Sequence, residues 1–173
     1  MAALEFALTL PILLMLLLGA VDAVILLRSS MRIDRSAAEV ANLVSQYTAL
    51  READFPGIFD AARRIAAPLA VSGAEGAMII TVIANDGRQT TIAWQRRAGA
   101  PEIRSGIGAS GKPSLPAGLE LDDGQTAVLV EAFSTIVPFA LSGRLLFGDI
   151  SPVTLRGFAV FRPRVATLAT VGT

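Results

Sequence analysis

The 173-residue chain has no cysteine and no histidine, carries 15 basic against 15 acidic side chains, and is 53% hydrophobic. Those counts exclude disulfides, thiolate nucleophiles, Cys/His metal sites and a Ser-His-Asp triad. Every basic residue lies at or after Arg28 while Glu5 and Asp22 precede it, so the later part holds 15 basic and 13 acidic side chains, a net +2 too slight to point to nucleic acid.

Residues 1–27, MAALEFALTLPILLMLLLGAVDAVILL, form an apolar run. From Phe6 to Leu27 only Thr9, Pro11, Gly19 and Asp22 interrupt it, and as a helix this stretch reaches about 33 Å, enough to cross a bilayer's hydrocarbon core. A transmembrane helix over 1–27 is the expectation. No basic residue precedes the run, and the run is too long for a cleavable signal peptide. Read alone, Arg28, Arg32 and Arg35 place the following chain in the cytoplasm.

Pro11 removes a backbone donor inside the helix, either as a tolerated membrane proline or as a functional kink. Ile33, Ala37, Val40, Val44, Tyr47 and Leu50 then recur at spacings of three and four, which predicts that the helix continues in water over 28–53 with its apolar stripe on a soluble domain. Asp54-Phe55-Pro56-Gly57 marks the break, with Asp54 as N-cap and Phe55 as an extended pre-proline residue before a short helix over 56–70. Residues 54–173 are long enough for one soluble domain.

Strands are predicted at 78–84 and 89–95, separated by Asn85-Asp86-Gly87-Arg88, a hairpin turn sequence. Residues 98–124, rich in Gly and Pro, read as a long surface loop. Further strands are predicted at 126–137 and 153–161, joined by an apolar connection with Pro138, Gly143, Gly148 and Pro152. The fold class that follows is α+β: a long N-terminal helix packed on a small antiparallel sheet.

Few motifs carry chemistry. Gly106-Ile107-Gly108-Ala109-Ser110-Gly111 has dinucleotide-fingerprint spacing, and Gly106 to Lys112 matches the start of a phosphate-binding P-loop. Both lack the preceding strand and following helix, and Pro113 stands where a magnesium-binding hydroxyl belongs, so a flexible loop is the better reading. Asp122, Asp123 and Glu131 have no convergent third ligand, which favours a turn and a lone strand carboxylate over acid-base or cation chemistry. Trp94 reads as core rather than ligand platform. Arg162 and Arg164 around Pro163 are either a solvated strand end or contacts for a partner or lipid head group. Glu5 is either an interfacial residue reaching headgroups or a carboxylate paired across chains. No basic side chain lies within 1–27, so the cation for the second reading is an α-amino group of a neighbouring copy, setting helix register.

Met1-Ala2-Ala3-Leu4-Glu5-Phe6-Ala7-Leu8-Thr9-Leu10-Pro11 and its leucine-rich continuation resemble the N-terminus of TadE-like proteins, minor pilins or pseudopilins of the tight-adherence (Flp-type) branch of type IV pilus systems. The resemblance continues in Ile92-Ala93-Trp94-Gln95, in Leu115-Pro116-Ala117-Gly118-Leu119 and in Val128-Leu129-Val130-Glu131-Ala132-Phe133, where Phe133 replaces a tyrosine of many relatives. It ends in Leu155 to Arg164, with the arginine-proline-arginine close.

The resemblance implies a pilin-like version of this α+β fold and a structural, non-enzymatic pilus subunit without cofactor or metal. Its leader would be removed by a prepilin peptidase to leave Met1 as first mature residue. The chain would sit in the bacterial inner membrane as a single-pass protein with its C-terminal domain periplasmic, reversing the orientation read from the arginines alone. Partners would be membrane lipid, other pilin or pseudopilin subunits and the inner-membrane assembly platform. The assembly interface would comprise Met1, Glu5, Phe6 and Pro11, with Glu5 neutralising a neighbour's N-terminal amine; Arg162 and Arg164 stay candidate partner contacts beside the solvated-strand-end reading. The alternative is a membrane-tethered periplasmic binding or adhesion module, to which the 98–124 loop would give its surface.

Overall fold

The three-to-four spacing that begins at Ile33 has a direct structural outcome: Ile33, Ala37, Val40, Ala41 and Val44 are buried along one side of a single long helix, α1, Ala2–Ser45. The computed structural model describes residues 2–108, 113–115, 118–138, 152–164 and 166–172. Pro11 lies inside α1 without ending it.

The helix stops at Ser45, short of the expected end near Ala53. Its last turn tightens, with the N–H groups of Gln46 and Tyr47 donating three residues back to Leu43 and Val44 carbonyls at 3.2 Å. Leu50–Arg51 then forms a two-residue strand, β1, paired in parallel with β6 (Val171–Gly172). Leu50 is buried as the periodicity required, but by strand pairing with the far end of the chain, which a local pattern cannot reveal.

A single 3₁₀ turn, Glu52–Asp54, leads into α2, Phe55–Ala66. Asp54 does not cap α2 with its side chain; its carboxylate accepts from the Arg51 N–H at 2.8 Å. Phe55 is helical (φ −61°, ψ −40°) instead of extended, and Pro56 occupies the first turn, where its missing donor costs nothing. Phe55, Ile58, Ala62 and Ala66 are buried.

The sheet is fully antiparallel in the order β3-β2-β4-β5, with β2 at Gly76–Asn85, β3 at Thr90–Gly99, β4 at Thr126–Ile136 and β5 at Val153–Phe161. The β2–β3 hairpin turns at Gly87 (φ +80°), whose N–H donates to Asn85 Oδ1 at 3.0 Å, while Asp86 Oδ1 accepts from Arg88 and Gln89. The register slips between Val82 and Ile83, a bulge that leaves Ala93 without a partner.

Alternation gives each sheet face its own cover. Met78, Ile80, Val82, Val128, Val130 and Ala132 meet α1 and α2 in one core, where Trp94 stands edge-on to Phe55 (centroids 5.5 Å apart) and donates Nε1–H to the Leu168 carbonyl at 2.7 Å. The expectation that Trp94 belongs to the core holds. Ile83, Ala127 and Leu129 face the other way and are covered by Ile107 and Leu121, with Leu115 and Leu119 packed alongside. The segment between β3 and β4 is therefore the lid of a second small core, not a plain surface loop. Gly143 and Gly148 of the apolar connection lie outside the described residues.

Candidate functional site

Three regions bear on function: the exposed part of α1, the collar where α1 enters the domain, and the polar groups of the sheet. Along the first, Leu4, Phe6, Leu8, Ile12, Leu13, Leu16 and Leu17 point outward, each more than half exposed. Apolar surface of this extent, continuous along several helical turns, is covered in any stable state by lipid or by other apolar helices. Glu5 sits on this exposed stretch in the first turn, where a carboxylate complements the helix dipole. The Thr9 hydroxyl folds back onto the Glu5 and Phe6 carbonyls at 3.0 and 3.2 Å, satisfying itself inside the apolar segment. Glu5, Phe6 and Pro11 thus share one exposed N-terminal stretch of α1, whereas Met1 lies outside the described residues. Asp22, the second carboxylate of the run, is fully buried.

At the collar, Ile25, Arg28, Ser29 and Arg32 line one side of a shallow pocket closed by Pro68 and Leu69 after α2. The Arg32 guanidinium donates to the Ala67 carbonyl and ties the end of α2 to α1. Further along, Arg35 Nε meets Glu39 Oε1 at 2.6 Å one turn on, and that carboxylate, by hydrogen bond and charge, raises the already high Arg35 pKa.

Arg162 and Arg164 occupy the opposite end of the domain, beside a hollow bordered by Gly124, Gln125 and Thr167. Arg162 donates to the Glu120 carbonyl at 2.7 Å and both arginines remain exposed, so they are not brought near the N-terminal stretch of α1.

Sequence reasoning missed the cluster around Glu131. This carboxylate is fully buried on the face of β4 that the β3–β4 segment covers. It accepts from Arg156 Nη2 at 2.6 Å, from the Gly106 N–H at 3.0 Å and from the Ser105 hydroxyl. The Arg156 guanidinium also lies 6.0 Å from the Phe133 ring centre and 5.6 Å from that of Phe158. Gly106, first residue of the phosphate-like sequence, therefore spends its backbone donor on an internal carboxylate; Ala109 to Lys112 lie outside the described residues. Asp122 is engaged separately by the Gln125 amide at 2.8 Å, so it and Glu131 have different partners. The available signal was one glutamate inside TAVLVEAFSTI, a strand otherwise without charge.

One helix among the described residues is long and apolar enough to cross a membrane, and it is α1. Residues 1–42 match the family model described as TadE-like protein, a segment holding the whole apolar run and the first turns of its continuation. No curated protein and no solved structure matches the chain significantly.

Proposed function

From the TadE-like match over residues 1–42 we propose that the chain is a structural subunit of a tight-adherence type IV pilus system, acting as a minor pilin or pseudopilin without catalytic activity. The observation that carries this reading is that the matched segment coincides with a helix whose apolar side chains are exposed over many turns and whose first turn bears a single carboxylate. A helix that served only to hold a domain at a membrane would need the apolar surface and not Glu5, which is costly in hydrocarbon unless it finds a cation. In a side-by-side array of copies, Glu5 pairs with the N-terminal amine of a neighbour and fixes the stagger of the helices, a use of an ion pair for register. Phe6 and Pro11 shape the same contact.

In this reading residues 1–27 span the inner membrane, α1 continues from Arg28 onto the folded part, and that part is periplasmic. Prepilin peptidase, the assembly platform and other pilins are its partners, with Arg162 and Arg164 exposed at the far end for a subunit contact. The test is Glu5→Ala. Filament number should fall sharply while the far-ultraviolet circular dichroism of the purified chain stays unchanged. Wild-type piliation and adhesion in the variant would overturn the pairing.

A further inference from the structure

The arginines that follow the span are the least expected feature of this chain under the orientation proposed above, because basic residues concentrate on the cytoplasmic side of membrane helices. Their surroundings supply a reason. Ile25, Arg28, Ser29 and Arg32 stand at i, i+3, i+4 and i+7, one face of α1, and among the described residues the lining of the pocket they form with Pro68 and Leu69 holds no acidic side chain. Arg28 is the first residue after the apolar run, so a helix crossing the bilayer puts it at headgroup level and Ile25 at the edge of the hydrocarbon. Arg32 is steadied over Pro68 by its bond to Ala67 and keeps further N–H donors.

A second observation points the same way. Pro68 and Leu69 also border a groove with Ile136, Val137 and Pro152, so this end of the sheet lies beside the collar. Among the described residues, the large apolar side chains exposed outside α1 are Val137, at 61%, and Val153, at 37%, and both are at this end. The other described residues of the folded part keep their large aliphatic groups at least partly covered.

We propose that this collar is a binding site for an anionic glycerophospholipid, with the phosphate held by Arg28 and Arg32, an acyl chain along Ile25 and Leu69, and Val137 and Val153 dipping into the interface beside it. Guanidinium forks suit phosphate oxygens, and an apolar floor under a cationic rim matches a lipid and not a free ion. The site rests on the reading of α1 as a membrane span.

The experiment uses the full chain reconstituted in vesicles of equal phosphatidylcholine and phosphatidylglycerol, with retained lipid counted by native mass spectrometry. Wild-type chain should retain phosphatidylglycerol in preference, and Arg28→Gln should cut that preference roughly five-fold. Arg88→Gln, in the hairpin turn, should leave it unchanged, and circular dichroism checks that each variant is folded. Equal retention of both lipids by the wild type, or an undiminished preference in Arg28→Gln, would overturn the proposal; so would displacement of the lipid by inorganic phosphate alone. Flotation on pure phosphatidylcholine vesicles reads the span separately: a chain that fails to float refutes the membrane helix, and one that floats without headgroup preference refutes only the site.

Discussion

Glu131 and Arg156 form an unequal pair, and the inequality makes a prediction. Glu131 is fully buried, whereas the Arg156 side chain is 48% exposed. Arg156→Ala would strand a carboxylate in the interior with only the Ser105 hydroxyl and the Gly106 N–H as donors, at a cost of about 3–5 kcal/mol. Glu131→Ala would leave a guanidinium that can turn to water, at a cost of about 1–3 kcal/mol. Urea denaturation of the two variants should rank them in that order, and the reverse ranking would show that the cluster is held by the loop's donors rather than by the ion pair. The buried glutamate was visible in the sequence as an anomaly. Its partner was not, because Arg156 lies 25 residues on and meets Glu131 only through the β4–β5 register, which no local pattern specifies. Trp94 was legible for the opposite reason: a large aromatic on an alternating strand is core unless something competes for it.

Between elements, α1 packs closely on β5 at Gly157. A Cβ on Gly157 would lie 2.6 Å from Ile33 Cγ2 and 2.7 Å from the Ile33 carbonyl carbon. Part of that obstruction is backbone, so a side chain there cannot be accommodated by a rotamer change. Gly157→Ala should push α1 off the sheet and cost about 1–3 kcal/mol, read as a lower urea midpoint with α-helical circular dichroism retained. Strand positions were legible wherever β-branched runs met turn residues, and the β2–β3 turn followed from Asn85-Asp86-Gly87-Arg88. The end of α1 and the cover over the second face were not, since both depend on distant partners: Val171 beside Leu50, and Ile107 and Leu121 over Leu129.

Across the described residues of the molecule, the carboxylates with displaced pKa values all move the same way. Glu52 is held below its ordinary value by its hydrogen bond to Arg96, Asp60 by that to Arg64, and Asp86 by the N–H groups of Gln89 and Arg88. A carboxylate whose folded pKa is depressed contributes stability above its unfolded value and loses it as pH falls through the folded one. The urea midpoint of the full chain in detergent should therefore hold steady from neutrality to about pH 5 and decline below about pH 4; a maximum near pH 4 would contradict these contacts. The continuity of α1 has a mechanical consequence as well. Its 44 residues make a rod of about 66 Å running unbroken from the first turn past Ile33 into the domain's core. Tension applied at the N-terminal end is delivered along one continuous helix, past the donor missing at Pro11, to the Ile33–Gly157 contact, so a pull that moves the helix moves the folded head with it.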